Sequence, residues 1–149
     1  MIKKEHLFLF IVLIAVLALA YEGSDIDEGK EIGLGEHVIL VDIVSDQEEK
    51  RIGLSNRSGL SKKEGMKFVF GEEGYHGIWM KDMSFPIDIL WIEKDGAIVH
   101  IEENVPPESY PEVFFPDKPA KYVLEIKAGL TKESELKIGD KLDIKNENN

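Results

Sequence analysis

From His37 onward the apolar residues of this chain come in short runs, mostly alternating with polar ones, and that period of two commits the folded part to strands rather than long helices. His37 to Val44 (HVILVDIV) is nearly continuous in apolar groups and reads as a strand buried on both faces. Ser45-Asp46-Gln47-Glu48 has the capping-box pattern, so a short helix should follow and stop at Gly53. Ser61 to Glu64 repeats that pattern, with Gly65 limiting it to about one turn. Met66 to Phe70 then alternates, placing Met66, Phe68 and Phe70 on one face. Gly71 to Gly74 reads as a turn and Tyr75 to Met80 as a resumed strand. Phe85 to Ile92 is apolar except for Asp88, with Pro86 confined to the strand start or an edge because it has no N–H to give. Asp95-Gly96 marks a hairpin from which Ala97 to Glu102 returns antiparallel. Ala120 to Lys127 points Tyr122, Leu124 and Ile126 one way and Val123, Glu125 and Lys127 the other. Thr131 is placed to cap a short helix, and Gly139-Asp140 leads into a last strand over 141–144. The fold expected is mainly β, a compact small barrel or sandwich with a few short helices.

Between Pro106 and Pro119 lie five of the six prolines, together with Tyr110, Phe114 and Phe115. Three aromatic side chains do not stay in water without reason, so this is expected to be an ordered lip on the domain. The chain has 149 residues and no cysteine. One domain of ordinary size buries enough surface to fold without disulfide or structural metal, and thiol nucleophiles, thiolate zinc sites and iron–sulfur clusters are excluded. A formal net charge of −11 argues against a nucleic-acid partner, which demands clustered Lys and Arg.

The first twenty residues are of another kind. Lys3 and Lys4 precede Leu7 to Ala20 (LFLFIVLIAVLALA), fourteen residues without a polar group. As a helix this run spans about 21 Å, short of a ~30 Å hydrocarbon core. It suits the core of a signal peptide, with Ala18-Leu19-Ala20 supplying small residues for cleavage before Tyr21; the other reading is an uncleaved anchor in a locally thinned bilayer. Either way the lysines stay inside and the domain is expected outside the cytoplasm, touching a membrane only through this segment. Residues 21–36 (YEGSDIDEGKEIGLGE), rich in Gly and acids, read as a flexible acidic spacer. That leaves one β-rich domain over 37–145 and a disordered tail over 146–149.

Arginine use singles out one segment. Of eighteen basic residues only Arg51 and Arg57 are arginine, six apart, where the planar fork would grip a carboxylate or phosphate, or else clamp Asp88 or Glu125 internally. Arg-to-Lys changes are expected to hurt most there. Asp88 and Glu125 each interrupt an apolar strand, which is costly unless the acid is paired, turned outward or used as a base with a raised pKa. His76, Lys81 and Asp82 flank Trp79 and Met80 as a polar cluster, yet no paired ligand spacing marks a metal site and no glycine-rich loop is placed for phosphate. Ser55, Ser58 and Ser61 lack the G-x-S-x-G context of a serine hydrolase. Trp79 and Trp91 fit a core or a cleft wall.

Gly53-Leu54 with Arg57, Glu64-Gly65-Met66 with Phe68, Trp79-Met80-Lys81, Pro86-Ile87-Asp88, Asp95-Gly96, Val123-Leu124-Glu125 with Ala128-Gly129, and Gly139-Asp140 together resemble the domain of unknown function 192 family, also called uncharacterised protein family 0127. The resemblance runs from about Val38 to Ile144. It implies a small, mostly β domain, often secreted or membrane-tethered in prokaryotes, with no established activity. Two positions depart from the family pattern: Asp82-Met83 stands where Asn-Thr is usual, and Ser55 where a Met commonly follows Gly-Leu. Carried over by position, the polar residues that fit the pattern are Arg51, Arg57, Glu64, Lys81, Asp88 and Glu125.

The function expected from all this is a binding module for an anionic small molecule or peptide carboxylate. Arg51, Arg57, Trp79, Lys81, Asp88 and Glu125 would form its site, with no cofactor and no metal. The alternatives are a hydrolase or lyase using Asp88 or Glu125 as general base, and a structural partner in the cell envelope.

Overall fold

A computed structural model of the chain describes residues 30–144. The expected signal or anchor segment, residues 21–29 of the expected spacer, and the tail over 146–149 lie outside these residues. Among the described residues no helix is long and apolar enough to cross a membrane.

Eight strands form, six of them in one sheet: β1 (Lys30–Leu34), β2 (His37–Val44), β3 (Glu64–Gly74), β5 (Ile87–Ile92), β6 (Ile98–Val105) and β8 (Ala120–Lys127), in the order β1-β2-β3-β8-β5-β6. Strands β4 (Ile78–Trp79) and β7 (Val113–Phe114) pair separately. All contacts within the main sheet are antiparallel except β2 to β3, which run parallel because α1 (Gln47–Ile52) carries the chain back across between them. The mainly β architecture is as the residue pattern requires.

Alternation along the central strands divides the core into two layers. Ile87, Ile89 and Trp91 of β5 join Met66, Phe68 and Val123 on one side of the sheet, while Leu90 and Ile92 join Ile39, Val41, Leu124 and Ile126 on the other. All six residues of β5 are buried, which is why that strand reads as a continuous apolar run.

Several elements differ from the sequence reading. Strand β1 lies inside the segment read as a flexible spacer: Ile32 and Leu34 are buried and pair across to β2, so the sheet includes Lys30–Leu34 ahead of His37. Two apolar side chains on one face suffice for a strand when a neighbouring strand is there to pair. Strand β2 is buried on one face only, with Val38 and Leu40 half in solvent. The cap of α1 is Asp46 rather than Ser45; its carboxylate accepts from the N–H groups of Glu48 at 2.8 Å and Glu49 at 3.3 Å. Helix α1 does stop at Gly53, whose φ of +51° favours glycine. Residues 71–74 continue β3 through an irregularity in its pairing with β8 instead of turning. Thr131 lies within α2 (Leu130–Glu133), whose cap is Gly129, and the expected last strand is a single bridge from Lys141 to Ala97.

Candidate functional site

Three hydrogen bonds fasten the loop after α1 to the loop after β4. Ser55 Oγ donates to the carbonyl of Lys81 at 2.8 Å, the Asn56 N–H donates to the carbonyl of Asp82 at 3.0 Å, and Ser84 Oγ donates to the carbonyl of Arg57 at 2.9 Å. The lip closes the same region from another side. Its β7 pairs Val113 with Trp79 and Phe114 with Ile78, and Tyr110 meets the Trp79 ring edge-on at 6.4 Å. A Cβ at Gly77 would fall 2.6 Å from Phe115 and 2.7 Å from Val113, so glycine there is what lets the lip approach.

A cavity of about 60 Å³ lies between these parts, with Lys50, Ser55, Phe68, Trp79, Met83 and Glu125 among its walls. That is room for a few water molecules or a small functional group. A shallower depression of about 240 Å³ continues it past Lys50 and Trp79 towards Gln47, Arg51 and Phe70.

Glu125 is the chemically unusual wall. It is 5% exposed, and among the described residues its carboxyl makes no hydrogen bond and no ion pair. Burial pushes its pKa up to about 8, against a smaller opposing pull from the charge of Arg57. At neutral pH this carboxyl therefore carries its proton and is a hydrogen-bond donor without a protein acceptor. Two residues with donor groups share the cavity wall: Lys50, whose ammonium rests 5.0 Å over the Phe70 ring beside the shallower depression, and Trp79, whose indole N–H, on a side chain 45% exposed, has no acceptor among the described residues.

The other expected site residues go elsewhere. Arg51 holds Glu48 along the exposed side of α1, Nε to Oε2 at 3.0 Å. Arg57 holds Asp42 at 2.7 Å on the surface and reaches Glu125 only through its field. Lys81 contributes its backbone carbonyl and does not line the cavity. Asp88, fully buried, faces the opposite side of the sheet and accepts from three backbone N–H groups, those of Asn104 at 2.8 Å, Gly129 at 3.1 Å and Thr131 at 2.9 Å. It is a strut that ties β6 and the start of α2 to β5. His76 stacks on Phe70 at 3.6 Å with Nε2 against the Glu72 carbonyl, and burial holds its pKa below the ordinary value. No group of acids and histidines able to hold a metal occurs among the described residues. The six expected residues are thus not one cluster: the structure brings together Trp79 and Glu125. It adds Lys50, Ser55, Phe68 and Met83, for which the sequence offered only the Gly-Leu-Ser step after α1 as a signal.

Comparison with known proteins agrees with this fold. No curated protein matches the chain. A crystal structure of a Sinorhizobium meliloti 1021 protein named as a candidate transcription regulator is similar at 36% identity and a TM-score of 0.69, over 72% of this chain and 82% of that one. A protein of unknown function from Novosphingobium aromaticivorans DSM 12444 is similar at 29% identity and a TM-score of 0.70, over 76% and 83%. The family model DUF192, described as "Uncharacterized ACR", matches residues 30–144, the span of the folded domain, and the chain belongs to that family.

Proposed function

We propose that this protein is an extracytoplasmic binding module, and that the cavity under Trp79 receives the anionic end of a small molecule or peptide. One observation carries the reading: a carboxyl group nine-tenths buried, without a hydrogen-bond partner among the described residues, lies in the wall of a cavity that Lys50 and Trp79 also line. A buried polar group without a partner costs stability, and the O–H of the neutral carboxyl is a donor that a ligand's acceptor can satisfy. Lys50 and the field of Arg57 offset the charge an anion would bring. The arginines, each already holding a carboxylate, act at a distance instead of as the grip expected from the sequence.

The test is ligand-dependent stabilisation. Small anions should raise the melting temperature of the full chain, and Trp79→Ala and Lys50→Ala should each reduce the rise. A screen in which no anion stabilises the protein contradicts the reading. Placement outside the cytoplasm is supported by the Lys3-Lys4 start and the apolar run that follows. Cell fractionation with N-terminal sequencing tests it, and a soluble cytoplasmic chain still beginning at Met1 contradicts it.

A second reading, acid–base catalysis by Glu125, is favoured by its raised pKa. The one hydroxyl on the cavity wall, that of Ser55, is committed to the Lys81 carbonyl.

A further inference from the structure

We infer that the group this cavity recognises is a carboxylate, held through a proton shared with the Glu125 carboxyl, and that the site therefore releases its ligand as the pH rises. The inference rests on the binding reading above and narrows it from anions in general to one class.

The shape of the site makes the selection. A chamber of about 60 Å³ has room for a planar group of three heavy atoms with a short stem. The residues with donor groups on its wall are few and come from different elements: Glu125 on β8, Lys50 on α1 and Trp79 on β4. A phosphate or sulfate needs its several oxygens met together, commonly by a row of backbone N–H groups or a guanidinium. Here the N–H of Gly53 is spent on Glu49, and both arginines are spent on surface carboxylates. A carboxylate needs less. One oxygen accepts the Glu125 proton in a charge-assisted hydrogen bond, and the other faces Lys50 or the indole N–H. No covalent bond changes; the proton stays between the two oxygens.

Proton control follows from the surroundings of Glu125. The charge that acts on it is that of Arg57, from the loop after α1; Lys50 lines the same cavity with its ammonium over the Phe70 ring, and β3, β4 and β5 present Phe68, Ile78 and Ile87. Apolar walls keep the carboxyl neutral through the physiological range, since burial pushes its pKa up to about 8. Once it ionises, the donor is lost and two carboxylates oppose each other.

The experiment titrates the full chain with acetate, propionate, inorganic phosphate and acetamide, following tryptophan fluorescence. Trp91 is wholly buried and Trp79 is at the cavity mouth, so Trp79 reports. Acetate and propionate should bind more tightly than phosphate or acetamide. Their affinity should fall about thirtyfold between pH 6.5 and 9.5, as the competent neutral form of Glu125 is depleted. Glu125→Gln keeps a donor and cannot ionise, so it should bind acetate with no fall over that range. Phosphate binding in place of the carboxylates overturns this inference and leaves the anion-binding reading standing. Acetamide binding as well as acetate, or no probe binding at all, overturns both. Carboxylate affinity that does not change with pH in the unaltered protein removes the shared proton.

Discussion

Asp88 and Glu125 occupy neighbouring strands, with Asp88 across from Ile126 and Ile89 across from Glu125, yet their side chains leave opposite faces of the sheet. Both interrupt apolar runs and both are buried. Asp88 is met by three N–H donors delivered from β6, from the turn before α2 and from α2 itself. Among the described residues Glu125 is met by none. A buried acid answered at both oxygens by backbone N–H groups is part of the frame. A buried acid left unanswered beside a cavity is a cost the fold carries, and binding can repay it. The difference lies in which distant segments return to each face.

The largest effect should come from the frame. Asp88→Ala leaves three N–H groups without an acceptor, that of Thr131 buried and those of Asn104 and Gly129 partly so, and chemical denaturation should show a loss on the order of 5 kcal/mol. A loss below about 1 kcal/mol would erase the distinction between the two acids.

Glu125→Gln should act in the opposite sense. Its folded pKa lies above the unfolded value of 4.5, so the folded protein retains a proton that the unfolded chain gives up. The associated stability is fully present below about pH 4.5 and is lost progressively as the pH rises through 8. The amide removes that dependence, so the variant should match the unaltered protein near pH 4 and exceed it by up to about 3 kcal/mol at pH 7. Equal stability at both pH values would mean that Glu125 is answered after all.

Ser55→Ala should cost about 1 kcal/mol while weakening acetate binding severalfold, because Ser55 holds one cavity wall to the Lys81 carbonyl. The smallest effects should be those of Arg51→Lys and Arg57→Lys, whose pairs are exposed; melting temperatures should scarcely move. Arg57→Ala should raise the Glu125 midpoint further, since the guanidinium now holds it down.

Much of the frame was legible in the residue pattern. Strand β8 spans the residues its alternation marks, β5 begins just after Pro86, and Gly96, at φ +94°, closes the hairpin between β5 and β6. Strand β1 was hidden because Gly33, Gly35 and the acids around Ile32 and Leu34 look like spacer until β2 is there to pair with them. The irregular course of 71–74 was hidden for a similar reason, since a strand with a bulge and a turn use the same glycines. For the candidate site, alternation did reveal that Glu125 turns away from Tyr122, Leu124 and Ile126. It could not reveal that Asp88 would meet N–H groups 16, 41 and 43 residues away while Glu125 met a cavity. Rarity directed attention to the arginines, whereas the cation on the cavity wall is Lys50, one of sixteen lysines and without a distinguishing neighbour.

The central claim is that Glu125 is a neutral, unanswered acid at the floor of a binding cavity. The most direct measurement is a pH titration of its side-chain carboxyl carbon by nuclear magnetic resonance, with and without acetate. The account predicts a midpoint near 8 and a resonance that shifts when acetate is added at pH 6.5. A midpoint near 4.5, with no response to acetate, would contradict it.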